Sequence, residues 1–295
     1  VVQIIDIIDT IALFGIDGVG RRTIYKISKQ HPKDKLNPRC IQDILSERSI
    51  FPSLKEISKA YEYAEQIIES TIKRNIHILT IQDDRFPSAL KVIPNPPILL
   101  FIRGDYKFIN KEKSCIAVIG TRQPTSYGRD ISKMIGEYLA QKKMAVVSGL
   151  AVGCDTKAHI GCLQGKGKTA AVLAHGLDMI YPYENKRLSE EIISSGGCII
   201  SEYLPKQIPQ PYTFIERNRI QTGLSQGLIV IETEKTGGTM HTVQFALKQN
   251  KKIGCIKYPD SFKKYKKLGG NEKILKDTYT IPIKNYRDID YFINA

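Results

Sequence analysis

The tripeptide Gly120-Thr121-Arg122 closes an apolar run, Ile116 to Ile119, and leads through Pro124 and Ser126 into a helical pattern. A strand that ends in a glycine turn and feeds a helix turns backbone N–H groups and the positive end of a helix dipole outward. Such a turn suits an anion, usually a phosphate. Arg122 adds a planar fork that can hold a phosphate by two bonds. A second group, Phe214, Arg217, Asn218 and Arg219, stands in FIERNRIQTGLS, at the start of an expected helix. At helical spacing Phe214 and Arg217 share a face, while Arg219 points elsewhere. An aromatic ring beside arginines suits a base stacked on the ring with its phosphate clamped alongside. In the competing reading Phe214 belongs to the core and one arginine pairs with Glu216 or Glu232. Arg217 is assigned to DNA contact. Arg219 is assigned either to DNA or to an internal ion pair that shapes the pocket.

Other clusters carry less chemistry. Ser148, Asp155 and His159 invite a Ser-His-Asp reading, but nothing places Ser148 on a strained nucleophile elbow. Asp155 is expected as a helix N-cap and His159 as packed or hydrogen-bonded at the sheet edge. His175, His241 and Cys154 form no metal spacing, and neither a metal nor a cofactor is expected. Lys186, after Tyr181-Pro182-Tyr183-Glu184-Asn185, either tracks phosphate or is a solvated helix start. The run Lys263-Lys264-Tyr265-Lys266-Lys267 reads as a mobile solvated loop whose tyrosine could extend a DNA path. Near the front, Gly18-Val19-Gly20 and Arg21-Arg22-Thr23 describe either a helix-hairpin-helix that meets a DNA phosphate or an αα-hairpin that only packs on its neighbours.

The elements that must position these residues follow one rhythm. Apolar runs at Ala145 to Val147, Thr169 to Leu173, Cys198 to Ile200, Leu228 to Ile231 and Lys252 to Ile256 alternate with amphipathic stretches. This predicts crossover connections and a mostly parallel, extended Rossmann-like α/β sheet with helices on both faces. Ligands of such sheets lie beyond the carboxyl ends of the strands. The first turn lacks GxGxxG, which argues against an ordinary NAD enzyme. Prolines 87, 96 and 97 exclude helix there and predict extended edge segments around His77 to Ile81 and Ile98 to Phe101. The boundary is placed near residue 75: a small all-α domain over 1–75, with a helix from Leu54 to Arg74, then a Rossmann-like domain over 76–295.

The 295 residues carry 44 Lys and Arg against 30 Asp and Glu, a net charge of +14, which calls for a polyanionic partner, and nucleic acid fits best. Six scattered cysteines without CxxC spacing fit a reducing cytoplasm. No run of about 18 apolar residues predicts a membrane span. The opening VVQIIDIIDTIALF carries Asp6 and Asp9 without a basic leader and reads as helix rather than signal peptide.

In order along the chain, FPSALKVIPNPPILLFIRG, IAVIGTRQPTSYG, VVSGLAVGCDTKAHIGCL, AAVLAHGLDMIYPYEN, IISEY, FIERNRIQTGLS and GLIVIETEKTGGTMHT resemble the DNA-processing protein A (DprA/Smf) family, over about residues 10 to 275. The resemblance implies a cytoplasmic, sequence-independent single-stranded DNA binder that is not an enzyme. It also implies a homodimer, and the loading of a RecA-type recombinase during natural transformation. It implies an extended Rossmann domain behind a sterile-alpha-motif or hairpin type of helical domain. Many members add a C-terminal winged helix; with Ala295 following TYTIPIKNYRDIDYFINA, a divergent member without it is expected. Ala174, Cys154, residues 236–242 and Pro259-Asp260 depart from the family pattern, so a role in phage defence beside a toxin-like partner stands as a further reading. The candidate DNA-binding residues are Gly120, Thr121, Arg122, Ser148, Gly149, Lys186, Phe214, Arg217, Asn218, Arg219, Gly237 and Gly238. The dimer interface is expected at the last sheet edge, around Leu228 to Ile231 and Ile253 to Ile256. The rival is an enzyme. TGGTMHT is similar to the phosphate loop of lysine-decarboxylase-like phosphoribohydrolases, with Glu232 or Glu234 as the carboxylate, although Glu232 could instead cap a helix or pair with the arginines.

Overall fold

The apolar runs become strands because every residue in them has somewhere dry to go. In the computed structural model, which describes residues 7–30, 36–111, 114–262 and 265–294, α1 (Ile7–Phe14), α2 (Arg21–Gln30), α3 (Pro38–Ser46) and α4 (Leu54–Ile72) precede the first strand. Then come β1 (Ile76–Thr80), α5 (Ser88–Lys91), β2 (Leu99–Gly104), β3 (Cys115–Ile119), α6 (Ser126–Gln141), β4 (Ala145–Ser148), α7 (Cys154–Gln164) and β5 (Thr169–Val172). They are followed by α8 (Lys186–Ser194), β6 (Cys198–Ser201), α9 (Pro211–Gly223), β7 (Gly227–Val230), α10 (Gly238–Lys248), β8 (Lys252–Ile256), α11 (Gly269–Ile274), β9 (Thr280–Ile283) and α12 (Tyr286–Asn294). Residues 1–6 of the apolar opening and Lys263 and Lys264 of the basic run lie outside the described residues.

The strands form one sheet in the order β1-β2-β6-β5-β4-β3-β7-β8-β9. Pairing is parallel from β6 through β9, and antiparallel where β2 meets β6 and β1 meets β2. Successive residues of a strand serve opposite faces. Ile116, Val118 and Ile229 join one buried cluster, while Ala117, Ile119 and Leu228 join another. Both faces are therefore covered, as a parallel sheet requires. Chain order reverses at β3, which has β4 on one side and β7 on the other, and this switch point fixes where a ligand crevice can open.

Two expectations change here. Leu228 to Ile231 and Ile253 to Ile256 are not at a sheet edge: β7 is flanked by β3 and β8, and β8 by β7 and β9. The edge is β9, whose Pro282 lacks an N–H and suits a strand with one open side. Pro87 does not exclude helix, because it stands at the N-cap of the single turn α5, where no amide hydrogen is needed. The helical front packs on the sheet through a continuous hydrophobic cluster that joins Ile11, Ile24, Leu45 and Ile57 to Leu99, Phe101 and Ile199.

An ion network fastens that front. Arg219 on α9 is 1% exposed and gives Nη1 and Nη2 to the two oxygens of Glu202, at 2.9 and 2.6 Å. Arg21, at the first turn of α2, reaches Glu202 at 2.5 Å and Glu216 at 2.7 Å. The basic helix start after Gly18-Val19-Gly20 is thus turned toward the chain's own acids, which favours the packing hairpin over a DNA contact through Arg21. Removing one partner of a buried pair strands the other charge, at a cost of about 3–5 kcal/mol. Glu202→Gln is expected to lose stability on that scale in urea unfolding, and a loss below about 1 kcal/mol would show that Arg219 does not depend on the pair.

Candidate nucleic-acid interface

A cleft of about 400 Å3 opens beyond the carboxyl ends of β3, β4 and β7, at the switch point. One wall is the turn after β3, from Gly120 to Gln123. The facing wall is α9, with Phe214, Ile215, Asn218 and Gln221, and the far end is Thr233, Glu234 and the first turn of α10 at Gly237, Gly238 and Thr239.

Helix α9 begins where it does because Pro211 sets the first helical φ and Thr213 Oγ1 accepts the Gln210 N–H at 3.0 Å. Its second half is anchored in the core by Ile220 and Leu224. That leaves Phe214 at the cleft, half-buried, with Arg122 lying 4.8 Å over its ring and Tyr181 tilted against it at 5.9 Å. Arg122 is exposed and makes no ion pair among the described residues. A planar cation and an aromatic ring therefore stand as one stack at the mouth.

Arg217 lies one turn along, 5% exposed. Its Nη1 donates to the carbonyls of Gly149, at 2.9 Å, just past the end of β4, and of Val172, which ends β5. With its oxygen turned toward them, the Gln221 amide accepts from Arg217 Nε at 3.0 Å and from the Gly149 N–H at 3.1 Å. A Cβ on Gly149 would stand 2.5 Å from Arg217 Nη1, so only glycine leaves the guanidinium its place. Burial pulls Arg217 down to about 10, with Asp155 opposing, and it stays charged at neutral pH. Asp155, held up by burial against the pull of Arg217, accepts the Gly149 N–H at 3.0 Å and lines the cleft.

Eight of the residues expected in the sequence meet at this cleft: Gly120, Thr121, Arg122, Phe214, Arg217, Asn218, Gly237 and Gly238. Four do not. Ser148 is fully buried and donates to the Val118 carbonyl at 2.7 Å, and Gly149 is sealed behind Arg217. Arg219 takes its internal-pair reading, with Glu202 and not Glu216 or Glu232 as partner, because helix periodicity points it away from the cleft. Lys186 is exposed at the start of α8, 5.7 Å over the Tyr183 ring and outside the cleft lining.

The source of anion-binding amides also moves. In the turn after β3, the Thr121 N–H is spent on Glu232 O (2.7 Å), the Gln123 N–H on Thr121 Oγ1 (3.2 Å) and the Thr125 N–H on Glu232 Oε2 (2.8 Å). That turn offers the Arg122 side chain, and further amides without a protein acceptor stand across the cleft at α10. Its N-cap Gly237 supplies no side-chain bond, and the N–H groups of Gly238 and Thr239 have no protein acceptor among the described residues. Glu232 is buried and caps the start of α6 through Thr125, so it faces neither the cleft nor the arginines. Asp155 is not an N-cap: Gly153 holds that position on α7, at a φ of +90°. His159, on α7, is packed and hydrogen-bonded as expected, against Thr169 of the interior strand β5. The signals that could have drawn in Gln221 and Tyr181 were the four-residue spacing from Arg217 and an aromatic residue inside the YPxxN turn.

The family model for DNA recombination-mediator protein A matches residues 77–293. The chain belongs to this family. DNA processing protein DprA of Bacillus subtilis (strain 168) is 32% identical over 229 residues, 77% of this chain and 76% of its own length. Protein Smf of Synechocystis is 33% identical over 82% of this chain, which spans about half (54%) of that relative. Among solved structures, DNA processing protein A from Streptococcus pneumoniae superposes with a TM-score of 0.80 at 26% identity, covering 98% of each chain. The Helicobacter pylori structure, described for its single-stranded DNA binding mode, gives 0.65 at 28% identity over 74% of this chain and 94% of its own. The long motifs quoted above thus identified the family. Among the described residues no helix is long and apolar enough to cross a membrane, and no three His, Cys, Asp or Glu side chains could hold a metal ion.

The Ser-His-Asp reading fails on geometry, and the reason sets a pH dependence. Thr169 Oγ1 donates to the Val146 carbonyl at 2.8 Å, so at 2.7 Å it accepts from His159 Nδ1, and the ring carries its proton there, away from Ser148 and Asp155. Burial pushes His159 from 6.5 down to about 3. A base depressed in the folded state keeps its full contribution above 6.5 and loses it as pH falls toward about 3, by up to ~1.4 kcal/mol per pH unit. Urea midpoints are expected to fall over that window and to fall less in His159→Gln; identical pH slopes would remove His159 as the cause.

Proposed function

We propose that the cleft binds single-stranded DNA without regard to sequence, and that the protein acts as a recombination mediator rather than as an enzyme. One observation carries the reading: the Arg122–Phe214 stack at the mouth of a cleft whose far end presents the unpaired amides of α10. A stack of guanidinium and ring takes the face of any unpaired base, and a helix N-terminus takes a phosphate. Buried Arg217 adds positive potential from behind without leaving its carbonyls. The net charge of +14 favours a polyanion at long range. The single-stranded DNA named for the Helicobacter pylori relative supports the same ligand. Transfer of the bound strand to a RecA-type recombinase, and a homodimer that sets two clefts side by side, are the finer parts of this proposal. The family's description as a recombination mediator supports the first, and two linked sites would raise avidity on long strands. The phosphoribohydrolase reading loses one of its two carboxylates, because Glu232 is committed to Thr125, while Glu234 remains at the cleft.

Arg122→Ala is expected to weaken single-stranded DNA binding by about 1.5–3 kcal/mol, with a shallower dependence on salt, since a charged phosphate contact is lost. Phe214→Ala is expected to lose about 1–3 kcal/mol on single strands and little on duplex, whose bases are already stacked. Fluorescence anisotropy of labelled oligonucleotides over a salt series reads both. Salt-independent binding in the native protein, or an Arg122→Ala variant that binds as well as native, would sink the proposal.

A further inference from the structure

The stretch that leaves the carboxyl end of β8 carries Tyr258, Phe262 and Tyr265, and all three gather with Tyr127 from the first turn of α6. Tyr127 and Phe262 have ring centroids 5.1 Å apart and planes 30° apart; Phe262 and Tyr265 follow at 5.5 Å and 32°. Three rings thus run in a row with similar tilt. Tyr258 meets Tyr127 and Phe262 at 5.4 and 5.6 Å, at the steeper angles of 67° and 60°, and forms the base of the row. A cluster built only to hold its own segment would turn its rings inward. Here the end rings stay open, Tyr127 at 40% and Tyr265 at 51% exposure.

The segment that carries the row touches the cleft at one wall and at its far end. Lys267 Nζ donates to the carbonyl of Gln123, at 2.9 Å, and Gln123 lines the cleft. At the far end the Gly270 N–H donates to the carbonyl of Thr233, at 2.9 Å, and Thr233 lines the cleft as well. Exposed Lys257 stands at the start of the segment and Lys267 at its end, so cations flank the rings. Aromatic faces interleaved with lysines and continuous with a nucleic-acid cleft match the pattern of a stacking track and not that of a peptide groove, where side-chain pockets would alternate.

The geometry points to the Tyr127–Phe262–Tyr265 row as a second stacking platform, which takes bases of the same single strand as it leaves the cleft. The inference rests on the reading of the cleft as the single-stranded DNA site. It assigns Tyr265 and Tyr127 to base faces and Lys257 and Lys267 to the phosphates between them. A short strand fills the cleft alone, whereas a long one engages both surfaces.

The test uses labelled oligothymidylates of about 4 and about 16 nucleotides, the span of lengths a single module holds. Tyr265→Ala is expected to weaken the long strand roughly 5-fold or more and to leave the short strand, the salt slope and the melting temperature unchanged. Tyr265→Phe, which keeps the ring, is expected to bind both lengths as native does. Arg122→Ala serves as the cleft control and is expected to weaken both lengths. If Arg122→Ala weakens both while Tyr265→Ala binds the long strand like native, the platform is overturned and the cleft stands. Equal losses for Tyr265→Ala on both lengths with a lower melting temperature also overturn it, by showing a structural ring. If Arg122→Ala changes neither length, the cleft reading fails and the platform with it.

Discussion

The guanidinium of Arg217, buried where β4 and β5 end, is the constraint around which the site is arranged. Parallel strands terminate in carbonyls that no further strand residue can satisfy, and those of Gly149 and Val172 both accept from Arg217 Nη1. A cation is a good filler for that position because a single group answers several carbonyls. Its desolvation is costly, and the depression to about 10 measures that cost against the attraction of Asp155. Everything adjacent then follows. Residue 149 has no room for a Cβ, Gln221 must stand one turn further along α9, and Asp155 is kept near although burial disfavours its charge. Phe214, three residues before Arg217 on the same face, has only the cleft mouth to occupy.

The second arginine of the same helix does the opposite work. Arg219 is 200° of helix away from Arg217 in direction and faces Glu202, which Arg21 shares. Glu202 follows directly on β6, so the network ties the end of the sheet, the α9 helix and the first turn of α2 into one rigid corner. Orientation of the stacking residues is therefore set from two sides, by strand-end carbonyls through Arg217 and by acids through Arg219. One RNR tripeptide supplies both because adjacent odd positions on a helix face apart.

Strand positions were legible in the sequence to within about a residue, since a parallel sheet covered on both faces demands an uninterrupted apolar run, and β3 through β8 each have one. Sheet order was not legible. Nothing local to Leu228–Ile231 says that it has a neighbour on each side, and the true edge β9 is a four-residue strand interrupted by Pro282. The meeting of Arg122 and Phe214 at one cleft was legible, because side chain and position agree there. Placement at the cleft was not legible where a polar residue is consumed by the backbone, as with Ser148 on Val118, because the acceptor lies on a strand 30 residues away. Arg219 takes the internal-pair alternative: periodicity shows that 217 and 219 diverge, and only the fold shows which direction holds an acid.

The amides near the cleft divide along the same principle and decide what chemistry the site favours. A glycine turn at a strand end binds an anion only if its N–H groups are left over, and at Thr121, Gln123 and Thr125 they are not: Glu232 takes two of them and Thr121 the third. Glu232 thereby locks the turn that presents Arg122, and a carboxylate so engaged is poorly placed to activate water. Further donors sit across the cleft at Gly238 and Thr239, where the helix has no side-chain cap to compete with a ligand. Donors at one end and a planar stack at the mouth can hold a phosphate and a base of one strand at once. On the proposed reading such a surface would gain affinity from charge and stacking, both indifferent to base identity, which is the behaviour a strand of arbitrary sequence requires.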